Sequence, residues 1–215
     1  MTIWLAATED VLAPGQPLAL APAVRALYVR CGAVRIGSEG PARLVAPDTC
    51  RLAVGAATLE GEGEVWGFEV SAGRADGTCP RTVLAVPLAR DPTLPFVLRA
   101  DRIDFEPGGV TPRHGHAGPG IRRLLQGRLF AELGPQRRRI GAGEAWFESG
   151  PEAIVGHNLA PATAFVRAMV LDAELLGRPT FRPWTEADAT KPRGTRARLF
   201  FDELVRLPPA PGGPG

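Results

Sequence analysis

Residues 105–116 read Phe105-Glu106-Pro107-Gly108-Gly109-Val110-Thr111-Pro112-Arg113-His114-Gly115-His116, and no other stretch of the chain is as informative. Its first half is turn chemistry: Pro107, Gly108, Gly109 and Pro112 end one extended segment and open the next. Its end is an H-x-H pair. On a strand, residues i and i+2 point to the same side, so both imidazoles can meet one metal ion. The remaining histidine, His157, also lies in the second half, and the first half has none.

Outward from this stretch the chain is punctuated throughout. Its 215 residues contain 26 Gly and 22 Pro spread over the whole length, which disfavours long helices and favours short strands joined by turns. Apolar segments of strand length agree, at 26–29, 33–36, 65–70, 82–86, 122–125, 128–133, 144–148 and 164–171. Such a series predicts an all-β sandwich or barrel. Trp66, Phe68, Trp146 and Phe147 fall in these segments and are expected to pack in the sheets.

The halves echo each other. Ala26-Leu27-Tyr28-Val29-Arg30-Cys31-Gly32-Ala33-Val34 has the pattern of Ile121-Arg122-Arg123-Leu124-Leu125-Gln126-Gly127-Arg128-Leu129: a strand, a tight Gly turn and a second strand. A separation of about one small β-domain points to internal duplication. Late in the chain, Thr185-Glu186-Ala187-Asp188-Ala189 has a Thr N-cap and predicts one or two helical turns, ended by Pro192. Residues 198–205 read as either a last strand or a short amphipathic helix; the strand is favoured, with residues 199–205 returning to a sheet. The terminal Pro-Pro-Ala-Pro-Gly-Gly-Pro-Gly predicts a flexible tail.

Composition removes several classes. Lys+Arg is 25 against Asp+Glu 23, a net charge of +2, which argues against a strongly basic nucleic-acid binder and against an acidic disordered chain. Arg137-Arg138-Arg139 lacks interleaved aromatics and is expected in a solvated turn; Arg123, on the outer face of its strand, is expected to be solvated too. There is no run of about 18 apolar residues and no signal-peptide pattern at the start, so a cytoplasmic protein with neither membrane nor nucleic-acid partners is expected. Cys31, Cys50 and Cys79 are odd in number and far apart, which predicts buried free thiols. G-x-S-x-G occurs nowhere. Gly61-x-Gly63 and Gly118-x-Gly120 are not followed by helical segments, so hydrolase and nucleotide-binding readings fall.

The second half resembles the cupin superfamily. The first cupin motif runs Gly, five residues, His-x-His, three or four residues, Glu, six residues, Gly. It falls on Gly108, His114, His116 and Gly127, with Gly120 where the motif has Glu. The second motif can be laid on Gly143 to Asn158. Its Pro and Gly become Ser149 and Pro151, and its His becomes Ile154. The resemblance covers about residues 95–175. With the first half as a degenerate copy, it implies a bicupin: tandem double-stranded β-helix (jelly-roll) barrels at 1–92 and 93–176, then an extension over 177–215. A homodimer is what the family suggests.

The same resemblance implies a divalent metal ion, Fe, Mn, Ni or Zn, held in the second barrel by His114 and His116. His157, Glu148 or Glu152 is the third ligand to be considered; a two-His-one-carboxylate set suits non-haem iron. Strand alternation places residues 154 and 157 on opposite faces, so His157 would need a bulge to turn inward. Glu148 is as readily a carboxylate supporting the site as a ligand. Arg122 shares a face with Gly120 and Leu124. It points either to the carboxylate of a substrate or to an internal salt bridge with Glu148 or Asp104. Two functions follow as expectations. One is a metal-dependent dioxygenase, isomerase or decarboxylase acting on a small acidic or aromatic compound. The other is a non-catalytic protein that binds or senses a small organic anion in a barrel whose metal site has decayed.

Overall fold

The computed structural model describes residues 2–38, 40–73 and 81–209. The chain forms two compact units, Met1–Phe96 with Leu204–Gly215, and Val97–Glu203. The first is built from β1 (Thr2–Leu12), β2 (Leu18–Gly37), β3 (Arg43–Val45), β4 (Thr49–Ser71) and β5 (Thr82–Ala89). β2 and β4, of 20 and 23 residues, are long enough to serve two layers each. Residues 24–29 of β2 lie between 49–54 and 65–70 of β4, while 31–37 pair with 58–64 and 18–20 with 57–59. The two layers enclose a core of Leu20, Leu27, Val29, Val34, Ile36, Leu59 and Val65. At about 1.5–3 kcal/mol for each fully buried aliphatic side chain, this core is what holds the barrel closed.

Gly32 makes the change of layer possible. It sits at φ 92°, and a Cβ there would be 2.1 Å from the Glu62 carbonyl oxygen. Only glycine lets the backbones approach so closely. The turn expected at Gly32 is therefore a bend within the continuous β2, where the strand passes from one layer to the other.

The second unit contains β6 (Phe96–Phe105), β7 (His114–His116), β8 (Gly120–Gln126), β9 (Arg128–Leu133), β10 (Gln136–Gly141), β11 (Ala145–Glu148), β12 (Ile154–Asn158), β13 (Thr163–Asp172), β14 (Phe181–Pro183), α1 (Glu186–Ala189) and β15 (Thr195–Val205). One sheet has the order β11-β8-β13-β6-β15 and the other β10-β9-β12-β7-β14. The first of these repeats the order found in unit one: 49–55, 24–29, 63–71, β1, β5. Gly127, at φ 82° between β8 and β9, stands where Gly32 stands in β2. The echo between 26–34 and 121–129 thus belongs to a repeat of a whole barrel. The all-β tandem jelly roll is the architecture present. α1 begins where expected, with the Thr185 hydroxyl accepting from the Asp188 amide.

Several local expectations need correction. Arg123 is buried at 4% exposure and donates from Nε to the Gly143 carbonyl, because the turn before β11 folds over the outer face of β8. Arg137, Arg138 and Arg139 are exposed, but they lie on the strand β10 and not in a turn. Of the thiols, Cys31 is exposed and Cys50 half-buried. Cys79 and the Pro/Gly tail from residue 210 lie outside the described residues. Among the described residues no helix is long and apolar enough to cross a membrane.

Candidate functional site

A cavity of about 130 Å³ lies within the second barrel. Its wall combines an apolar girdle, including Phe105, Leu129, Trp146 and Phe165, with a compact polar group at His114, His116, Arg122 and Glu148. The backbone accounts for that grouping. β7 carries His114 and His116 at i and i+2, and it is pinned between β12 (Ile154 opposite His114) and β14 (Phe181 opposite His116). β8 and β11 run antiparallel with Arg122 opposite Trp146 and Gly120 opposite Glu148. Gly120 supplies the room for Arg122 to turn back: a Cβ there would be 2.5 Å from the Ala168 carbonyl oxygen and 3.2 Å from Arg122 Nη1. The guanidinium therefore fills the space that a side chain at position 120 would enter.

The polar group is tightly connected. Arg122 is fully buried; its Nη1 donates to the Gly120 carbonyl at 2.7 Å and its Nη2 lies 2.6 Å from Glu148 Oε2. Trp146 Nε1 donates to Glu148 Oε1 at 2.8 Å, and His116 Nε2 stands 3.5 Å from Glu148 Oε2. Burial pulls the Arg122 pKa down to about 10, opposed by the Glu148 charge, so the side chain remains a cation at neutral pH. Burial also works against the charge of Arg167, but the bidentate clamp of Asp101, at 2.8 and 2.7 Å, outweighs it and leaves the pKa raised. Both imidazoles shift the other way. Burial, with some help from the nearby arginines, pushes His116 well below the usual histidine value. Burial also lowers His114, against the pull of the Pro112 carbonyl at 2.8 Å from its Nδ1.

These two neutral imidazoles set a pH dependence. Below the ordinary histidine value of about 6.5 the unfolded chain binds protons that the folded chain does not, so stability rises with pH in that window and falls on acidification. Denaturation of the second barrel is expected to become easier from about pH 6.5 to 5.5, by up to about 1.4 kcal/mol per imidazole. His116→Gln should flatten its share of that slope in urea titrations at each pH. An identical slope in the variant would assign the effect to other groups.

The cavity does not provide for a divalent metal ion. Glu148 is the one carboxylate among its described lining residues, and both of its oxygens are already engaged, by Trp146 and by a guanidinium cation. Among the described residues no three His, Cys, Asp or Glu are grouped to hold a metal. Two imidazoles beside a fixed positive charge make a poor dication site.

Of the residues singled out in the sequence, His114, His116, Arg122 and Glu148 come together. His157 does not: alternation along β12 turns it outward, where Nε2 meets Glu132 Oε1 at 2.9 Å. Glu152 also lies outside the cavity, with Oε1 accepting from the Ser149 amide at 2.7 Å. For Arg122, the internal pair with Glu148 is the arrangement present; Asp104 pairs with Arg102 instead.

Sequence reasoning overlooked Arg167, Asp101, Phe181 and Arg193. Arg167 had a signal, a lone charge inside the apolar run 164–171. Phe181 had none; its ring stacks on His114 at 4.4 Å, a contact set by the pairing of β14 with β7. Among its described residues the first barrel has no counterpart of the pair His114 and Arg122. Leu20 lies opposite Ala57 as His114 lies opposite Ile154, and Leu27 lies opposite Gly67 as Arg122 lies opposite Arg167. Leucines there take the positions of His114 and Arg122.

Fold and site together define a class: a tandem β-barrel protein with a polar-ended cavity in its second barrel. No family model matches the sequence, and no curated protein matches it. Solved structures do. AerE from Microcystis aeruginosa superposes with a TM-score of 0.59 at 14% identity, over 78% of this chain and 88% of that one. A single-residue variant of oxalate decarboxylase from Bacillus subtilis gives 0.61 at 12%, over 87% and 73%. Salicylate 1,2-dioxygenase from Pseudaminobacter salicylatoxidans gives 0.55 at 10%, over 91% and 74%. These are cupin-fold proteins, and this chain has the cupin fold twice over. At such identities the fold is what is shared.

Proposed function

We propose that the second barrel binds a small organic acid without a metal ion and that the first barrel is a filled structural copy. The observation that carries this reading is the commitment of Glu148 to Arg122 and Trp146, which removes the third ligand a metal would need. Size supports it as well. An engineered apolar cavity of roughly 150 Å³ takes up benzene, so about 130 Å³ suits one ring or a short chain with a small polar group. At the buried polar end Arg122 Nη2 and Glu148 Oε2 are paired as ions at 2.6 Å without a hydrogen bond, while His116 Nδ1 has no hydrogen-bond partner and can meet a ligand.

A metal-dependent enzyme is the competing reading, favoured by the proximity of His114 and His116, whose ring centroids are 4.9 Å apart. Metal analysis by mass spectrometry decides between them, on untagged protein beside the His114→Ala/His116→Ala variant. The expected result is background iron, manganese, nickel and zinc in both, even after incubation with each ion, together with thermal stabilisation by small carboxylic acids. Close to one metal per chain, lost in the double variant, would overturn the proposal.

A further inference from the structure

Three guanidiniums line the cavity, and they are not equivalent. Arg122 is paired with Glu148 and Arg167 is clamped by Asp101, so neither brings uncompensated charge. Arg193 has no carboxylate ion-pair partner among the described residues. It is exposed at the mouth, on the segment between α1 and β15, with its guanidinium carbon 4.2 Å from the centroid of Phe181. The next cation along, Lys191, is tied to Asp188 at 2.7 Å. The stack continues inward, because Phe181 lies nearly parallel to His114, at 18°. A guanidinium centred over a ring face still has N–H groups that can turn to grip a carboxylate.

The inner end is less suited to that task. A carboxylate placed beside Arg122 would also stand beside Glu148, and like charges in a buried space repel strongly. At the mouth the acid group stays partly hydrated while the apolar body reaches Phe105, Leu129, Trp146 and Phe165.

We infer that Arg193 is the residue that selects a singly charged acid, and that the ligand is a monocarboxylate oriented with its acid group outward against Arg193 and its apolar body inward. This rests on the proposed metal-free binding site and deepens it by naming ligand charge and direction.

Matched probes test it: benzoate with benzamide, phenylacetate with phenylacetamide, and benzamidine as the opposite charge, titrated by ligand-observed NMR. The wild-type protein is expected to bind each acid about tenfold tighter than its amide. In Arg193→Gln that preference disappears while amide affinity is unchanged. In Arg193→Glu the order reverses, with benzamidine preferred over benzoate. An exposed position makes both variants tolerant substitutions for folding. Acid preference retained in Arg193→Gln would overturn the inference and leave the binding site standing. Equal weakening of acid and amide would overturn it too, by reducing Arg193 to support for Phe181. No saturable binding of any probe by the wild type would overturn both the inference and the site.

Discussion

Arg122→Met is expected to destabilise the second barrel by about 3–5 kcal/mol, among the largest effects a single substitution can have in this chain. The cost does not come from the strength of the Arg122–Glu148 pair. Both groups are buried, at 0% and 4% exposure, so removing the cation strands a carboxylate in low dielectric with the Trp146 N–H and the His116 imidazole, 3.5 Å away, as its remaining polar neighbours. The double variant Arg122→Met/Glu148→Gln should recover most of the loss. A buried ion pair replaced as a unit is often close to neutral, and the Gln oxygen still accepts from Trp146. Urea unfolding of the wild type, both single variants and the double variant closes the cycle. A loss below about 1 kcal/mol in Arg122→Met would mean that water reaches Glu148, and the picture of a sealed polar end would fail.

What the sequence disclosed follows a physical division. Features encoded within a few residues were readable: the alternation that turns His114, His116 and Arg122 inward and His157 outward, and the Thr185 cap on α1. Gly32 and Gly127 were also visible as a repeated mark. Features decided by distant partners were not. β6 went unread because Arg99, Asp101, Arg102 and Asp104 interrupt its apolar pattern. Arg99 pairs with Asp202, 103 positions away, and Asp101 with Arg167, 66 positions away, and those partners make such charges tolerable in a buried strand. Arg123 misled for the same reason, since the loop that covers it is remote in sequence from β8.

The Arg122–Glu148 pair lies between these cases. Both residues were visible, and their meeting was one of the arrangements left open. The register of β11 on β8 selects it, by setting Glu148 opposite the glycine that leaves space for the Arg122 head.

Arg122→Gln combined with Ile154→His is expected to convert the second barrel into one that takes up about one Co(II) or Zn(II) per chain. Ile154 is buried, lines the cavity and is registered opposite His114, so an imidazole there begins within about 4.5–5.5 Å, Cβ to Cβ, of an existing one. Replacing Arg122 removes the cation 2.6 Å from Glu148 and frees Oε2. Three imidazoles and one carboxylate then share a site whose donor types suit these metals. Neither substitution suffices alone: Ile154→His leaves the guanidinium against the carboxylate, and Arg122→Gln leaves only two imidazoles. The visible absorption of Co(II) and calorimetric titration with Zn(II) report the outcome, and His114→Ala in the same background should abolish it. At least a hundredfold tighter binding than the wild type is expected. If the double variant is folded by circular dichroism yet binds no better than the wild type, Arg122 is not what limits metal binding in the second barrel. The wider geometry of the barrel would then have to carry that explanation.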